Sequence, residues 1–289
     1  MKSFKNKVAA ITGAASGMGR TLAVELAKRG CHLALSDVNE TELVKTAELA
    51  GAHGVKVTIA KLDVSQRDAV FAWADQVAKD HGKVNLIFNN AGVALTAPAD
   101  SVKISDFEWI MGINFWGVIH GTQAFLPHLK ASRDGHVVNT SSLFGLMAVP
   151  TQSTYNASKF AVRGYTESLR MELDMADCGV SATCVHPGGI ATNIALAGKI
   201  DPAMEKLTGV SADVQKRRAN KLINVTTAEA AALQILTAVE NNQRRVLVGP
   251  DAKMLDKVVR LLGSWYQVLV RRQLERMNKK SALKVRTSP

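Results

Sequence analysis

Tyr155-Asn-Ala-Ser-Lys159, with Ser142 thirteen residues before the tyrosine, combines a proton-transfer group, a cation able to tune it and a hydroxyl able to hold a substrate oxygen. Residues four apart share one helix face, so Tyr155 and Lys159 meet if they lie on the helix that the pattern from Tyr155 to Met175 predicts. A free phenol ionises near pH ~10, and work as a base near neutrality needs a depression of roughly 2 to 3 units, or about 3 to 4 kcal/mol. An adjacent ammonium supplies much of that by stabilising the phenolate. Such a set suits the interconversion of an alcohol and a carbonyl compound. The plainer alternative is an ordinary surface Tyr–Lys pair, a spacing that recurs in many helices.

The companion signal lies at the amino terminus. Lys7 to Thr12 reads as a short buried strand leading into Gly13-Ala-Ala-Ser16-Gly17-Met18-Gly19 and then a helical pattern. Gly13 permits a tight turn, Gly17 removes a side chain where backbone must approach a pyrophosphate, and Gly19 lets the helix pack closely on the sheet. The helix amino terminus then faces the phosphates. A second strand, Cys31 to Ser36, ends at Asp37, eighteen residues beyond Gly19. A carboxylate there accepts both ribose hydroxyls of a dinucleotide and repels the 2′-phosphate of NADP. Asp37, followed by Val38 with no Lys or Arg adjacent, therefore points to NAD. Arg20 is the nearby cation that would admit NADP as well, and the other role open to Asp37 is capping the next helix, which Asn39 can equally do. An oxidised nicotinamide is positively charged, so Tyr155 should be most acidic in the complex that needs a base.

With these residues in place, the chain resembles the short-chain dehydrogenase/reductase family in its single-domain form, over about residues 7–250. The markers are Thr12-Gly-x3-Gly17-x-Gly19, Asp63-Val64, Asn89-Asn90-Ala91-Gly92, Asn114, Ser142, Tyr155-x3-Lys159 and Pro187-Gly188. Their order and spacing are specific together, whereas each alone is not. The resemblance implies cofactor contacts from Gly13, Ser16, Gly17, Met18 and Gly19, from Asp63 and Val64 at the adenine, and from Asn90, Ala91 and Gly92 at the adenosine ribose. It implies that Pro187, Gly188, Ile190 and Thr192 hold the nicotinamide, and that Ser142 and Tyr155 hydrogen-bond the substrate oxygen. Lys159 would lower the tyrosine pKa and bond the nicotinamide ribose, and Asn114 would hold a water that relays the proton onward. The rival hydroxyl is Ser141; the thirteen-residue interval favours Ser142, and adjacent side chains on a strand point to opposite faces. Thr192 could instead cap a helix, and Asn114 could satisfy backbone. A homo-oligomer, dimer or tetramer, is also implied by the resemblance.

Composition agrees: 289 residues with 47% hydrophobic content can form one α/β domain with a sizeable core. Strand candidates near 7–12, 31–36, 55–61, 84–89, 135–141, 180–186 and 245–249 alternate with helical stretches. The alternation implies a doubly wound parallel sheet of about seven strands, Rossmann-like, with helices on both faces. Residues from Ile190 to about Asn224 read as a long loop insertion. Cys31, Cys178 and Cys184 have no metal or redox spacing, so reduced thiols and a cytoplasmic setting are expected. The histidines are scattered, no metal is expected, and His186 reads as packing. No signal-peptide core is visible, and no apolar run approaches the ~18 residues that span a bilayer.

The net charge of +11 is uneven. Residues 251–289 hold ten Lys or Arg against three acids and form a basic helical extension beyond the catalytic domain, residues 1–250. Met254, Leu255, Val258, Leu261, Leu262, Trp265, Leu269 and Val270 recur there at helical spacing among basic residues. Packing against the enzyme body or another subunit, peripheral docking on an anionic membrane and nucleic-acid binding are the three readings, and no nucleic acid is expected because no binding module is recognisable. Leu143, Phe144, Leu146, Met147 and Val149, with Ile194, Leu196, Met204 and Leu207 of the insertion, suggest a lipophilic alcohol or ketone; alternatively they pack the lid. The expected function is an NAD-dependent oxidoreductase acting on a secondary alcohol/ketone or alcohol/aldehyde pair. The alternatives are an NADP-dependent carbonyl reductase and a non-catalytic NAD-binding scaffold, which would have no need of four catalytic residues.

Overall fold

Apolar runs bounded by polar turns become the strands β1 (Val8–Thr12), β2 (His32–Asp37), β3 (Val57–Lys61), β4 (Leu86–Asn89), β5 (Gly135–Thr140), β6 (Val180–Pro187) and β7 (Arg245–Val248). The computed structural model describes residues 1–286, with side chains described through Arg276. The end of the basic extension, residues 287–289, lies outside the described residues. All seven strands pair in parallel in the order β7-β6-β5-β4-β1-β2-β3.

Alternation along the strands explains the two cores. Ala9 and Ile11 face one side, where they pack with Leu22 and Leu26 of α1 (Gly17–Lys28) and with Ile235 and Leu236 of the helix Ala228–Glu240. Val8 and Ala10 face the other, against Trp73 and Val77 of α2 (Arg67–His81), Phe125 of α3 (Gly117–Ser132) and Leu169 of α4 (Ser153–Ala176). A parallel sheet covered on both faces must be apolar on both, and for that reason β1 is buried at every residue. The edge strand β3 is only partly buried. The seven-strand α/β expectation agrees with this architecture.

Strand order reverses between β1 and β4, so their carboxyl ends open a crevice between them. The segment 190–224 differs from the long loop expected. Its ends are pinned by parallel pairs, Ile190 with Thr226 and Leu95 with Lys199, and it contains the helices Ile194–Ala197, Ala203–Thr208 and Ala212–Leu222. Ala212–Leu222 buries none of its residues, so it has no apolar stripe for a sequence pattern to reveal.

The extension forms α5 (Pro250–Leu262) and α6 (Tyr266–Arg286) and grips the body by one face. Tyr266 is buried with Leu143 and Met147, and Leu255, Val259 and Val270 pack around them. Its phenol oxygen accepts the Ala148 N–H at 2.9 Å. At the start of α5, Asp251 accepts the Gly189 N–H at 2.6 Å. Thus the extension holds both the segment after Ser142 and the turn after β6. Tyr266→Ala should cost about 3 kcal/mol in urea unfolding, through lost packing, and Tyr266→Phe about 1 kcal/mol or less, because exposed Ala148 can turn its N–H to water.

Candidate active site

The glycine turn is built for close approach. Gly13 has φ +66°, and a Cβ there would lie 2.7 Å from Ala91 Cα; a Cβ on Gly19 would lie 2.0 Å from the Gly13 carbonyl oxygen. Gly19 therefore packs the helix onto its own entry turn rather than onto the sheet. Gly17, φ +51°, faces Thr192 across the crevice, 3.1 Å from a built Cβ to the threonine methyl. Ser16 begins α1 without capping it, leaving the first amides uncovered by that side chain, and Met18 packs partly on the core.

Asp37 accepts the Ala15 N–H at 3.0 Å and the Asn39 N–H at 2.9 Å, fixing the carboxylate beside the glycine turn. A carboxylate has about four acceptor sites, so capacity remains. The next helix is capped by Asn39, not Asp37. Arg20 is engaged by the Glu42 carboxylate at 2.7 Å, by Thr46 and by backbone carbonyls. The same guanidinium also donates to the Ala15 carbonyl, so it is tied to the glycine turn as well as to Glu42.

Asp63 is exposed and accepts the Ser65 N–H, while Val64 is buried against Gly117. The Asn90 side-chain amide donates to the Thr12 and Gly13 carbonyls at 3.1 and 3.2 Å. The Thr12 hydroxyl accepts both the Asn90 and Ala91 N–H groups. This segment therefore braces the crevice with its side chains. Gly92 keeps the route open to Lys159, whose Nζ would sit 3.5 Å from a built Cβ. Past β6, Pro187 ends the strand, Gly188 clears Asp251, and Ile190 is buried. Thr192 does not cap the following helix, which starts from Asn193.

Tyr155 and Lys159 occupy the first turns of α4, as the spacing predicts. The Lys159 ammonium is 5.8 Å from the Tyr155 ring centre and donates to the Thr140 carbonyl at 2.9 Å. Burial brings its pKa down to about 8. Tyr155 is also shifted by burial, upward, and only the Ser142 hydroxyl pulls it back. In the cofactor-free protein removal from water outweighs the Ser142 hydrogen bond and holds the phenol above its ordinary value. Ser141 spends its hydroxyl on the Lys159 carbonyl at 2.8 Å, whereas Ser142 lies beside the phenol.

Asn114 sits in a π-turn, Gly112–Trp116, a distortion that often accompanies function. Its carboxamide oxygen accepts the Val93 N–H at 2.8 Å, and its amide donates to the Val93 carbonyl at 3.0 Å and the Ser158 hydroxyl at 3.2 Å. The side chain thus braces Val93 against α4, with one lone pair of its oxygen left over. Two further residues, His186 and Phe144, make contacts at the site that their sequence readings as packing and as apolar surface did not specify. Buried His186 donates Nδ1–H to the Ser142 carbonyl at 2.9 Å, and burial lowers its pKa to about 4, so it remains neutral. Phe144 sets its edge on the Tyr155 ring, 6.2 Å between centres. Only the run of apolar residues after Ser142 hinted at the latter.

The short chain dehydrogenase family model matches residues 7–203. A Mycobacterium tuberculosis protein named as an oxidoreductase, SadH, is 48% identical over 270 residues, covering 93% of this chain and 96% of its own. A Burkholderia phymatum short chain dehydrogenase/reductase solved in complex with NAD has a TM-score of 0.84 at 33% identity, over 92% of this chain and 97% of its own. Levodione reductase has a TM-score of 0.75 at 26% identity, over 86% and 99%.

A lysine whose folded pKa lies near 8 against an ordinary 10.5 destabilises the fold wherever it is charged. Below about pH 8 the full cost is present, on the order of 3 kcal/mol; between there and 10.5 the native state sheds its proton first and stability recovers. Lys159→Met should therefore unfold at higher denaturant than the parent at pH 7, by about 2 kcal/mol after loss of the Thr140 bond. The gap should close as pH rises through that window. A variant less stable at pH 7 would contradict the assignment.

Proposed function

Because this chain belongs to the short-chain dehydrogenase/reductase family, an oxidoreductase family, we propose that it moves hydride between NAD and a lipophilic secondary alcohol/ketone or alcohol/aldehyde pair. The observation that carries the reading is the Tyr155 phenol beside the Ser142 hydroxyl, with the Lys159 ammonium buried behind it. The crevice residues fit a dinucleotide: glycines at 13, 17 and 19 leave no side chain in the cradle, and Gly92 puts none beside the buried Lys159 ammonium. Asp37, with Arg20 held by Glu42, favours NAD, in accord with the NAD complex of the Burkholderia relative.

Ser142 holds the substrate oxygen, and Tyr155 as phenolate takes the hydroxyl proton while the carbinol hydrogen leaves as hydride. When bound, the oxidised nicotinamide supplies the hydride acceptor and a positive charge close to the phenol. Lys159 donates to the nicotinamide ribose and stabilises the phenolate. Asp63, Val64 and the backbone of 90–92 border the adenosine side; Pro187 to Thr192 border the nicotinamide. In reduction the proton travels the other way, from Tyr155 to the carbonyl oxygen.

Substrate preference follows from what surrounds the phenol. Phe144 lies on Tyr155, which also packs against the apolar cluster of Leu95, Ala97 and Ile110. Leu143, Leu146, Met147 and Met204 are buried and pack the structure, leaving Phe144, Val149, Ile194, Leu196 and Leu207 as the members with surface to offer a ligand. Such walls suit an apolar body with one oxygen at the reacting carbon.

Cofactor reduction should be followed with NAD and NADP separately over a panel of hydrophobic and polar secondary alcohols. NAD-dependent turnover of hydrophobic members should fall by roughly 10²- to 10⁴-fold in Tyr155→Phe; undiminished turnover would remove Tyr155 from the chemistry, and faster turnover of sugars or polyols would refute the lipophilic preference. Asp37→Ala should erode the preference for NAD over NADP by about tenfold or more, through loss of ribose bonding and of phosphate repulsion. An unchanged ratio would eliminate Asp37 as the selector.

A further inference from the structure

The extension has a second face that the enzyme body does not use. Around the bend between α5 and α6, Tyr266 and Val270 point inward one helical turn apart, while Trp265 and Leu269, one residue earlier each, point out. Leu261 is 84% and Trp265 71% exposed, with Met254 and Leu269 also exposed on the same two helices. Large apolar side chains left that bare, and grouped, mark a contact surface.

Charge identifies the partner. Lys257, Arg260, Arg271 and Arg272 are exposed around these apolar residues. Arg260 pairs with buried Asp256, which also meets Arg245, Arg271 pairs with Glu275, and Asp251 turns to Gly189, whereas Lys257 and Arg272 have no carboxylate partner among the described residues. Glu275 is the exposed acid among the described extension residues. A second copy meeting this face through a twofold axis would bring its own cations opposite these. An anionic lipid surface satisfies both components, with the indole and leucines entering the headgroup boundary and the cations meeting phosphates. Among the described residues no helix is long and apolar enough to cross a membrane, so such a contact is peripheral.

We propose that the bend formed by Leu261, Leu262 and Trp265, with its basic flanks, docks this protein on anionic lipid surfaces. The inner face of the same bend grips residues 143–149, so docking holds the segment beside Tyr155 near the lipid. The inference stands apart from the catalytic reading, because no residue of the proton-transfer set lies on this face.

The full chain should be co-sedimented with neutral phosphatidylcholine vesicles and with vesicles containing phosphatidylglycerol. Point substitutions replace a tail deletion, which would also remove buried Tyr266. Recovery with anionic vesicles, weakened by salt, is expected. The pair Leu261→Ser with Trp265→Ser, and separately Lys257→Glu with Arg272→Glu, should each lower partitioning about tenfold or more, with thermal unfolding unchanged. The proposal is overturned by equal recovery with both vesicle types, or by substitutions that leave anionic binding intact. It is also overturned if the parent ignores vesicles and sedimentation velocity shows Leu261→Ser with Trp265→Ser breaking an oligomer, which would assign the face to a second copy.

Discussion

The constraint on which the site depends is a buried ammonium with a single protein acceptor. Lys159 is almost inaccessible and donates to the Thr140 carbonyl alone among the described residues, at the carboxyl end of β5. Keeping that charge out of water is unfavourable, so the helix bearing it must be seated by other interactions. They form a set of polar bonds beneath α4. Asn89 donates to Asn139 at 2.8 Å and Asn139 to Thr166 of the helix at 3.0 Å, while Asn114 reaches Ser158 and Ser141 reaches the Lys159 carbonyl. Strand ends and helix are thereby locked in register, and the phenol of Tyr155 is aimed at Ser142.

Burial also explains why the protein alone does not prepare its base. The same low-polarity surroundings that drive the lysine proton off hold the tyrosine proton on, since each shift disfavours the charged form. In the proposed reaction, a positive charge arriving in the crevice would reverse the balance for the phenol. Ionisation would then be coupled to occupancy, and the base would form where hydride has somewhere to go.

Much of this was legible because it has local signatures. Glycines whose Cβ atoms would strike backbone appear as a spaced cluster, and Tyr155 with Lys159 appears as an interval of four on a helix. Strands buried on both faces appear as apolar runs, and all seven were visible to within about two residues. What escaped was set by contacts between distant segments. Tyr266 and Ala148 lie 118 positions apart and His186 and Ser142 lie 44 apart, and neither pair has a pattern of its own. Asn90 and Asn114 stand out in the sequence, but their side chains serve backbone groups that only the folded chain brings to them.

The most direct test is the ionisation of Tyr155 itself, read as the near-ultraviolet difference titration of the parent minus Tyr155→Phe, with and without saturating NAD. Without cofactor the phenol should ionise above its ordinary value, and with NAD its pKa should fall well below the cofactor-free value. Ionisation at or below the ordinary value in the bare protein, unmoved by NAD, would show that Lys159 alone tunes the tyrosine and would contradict the account.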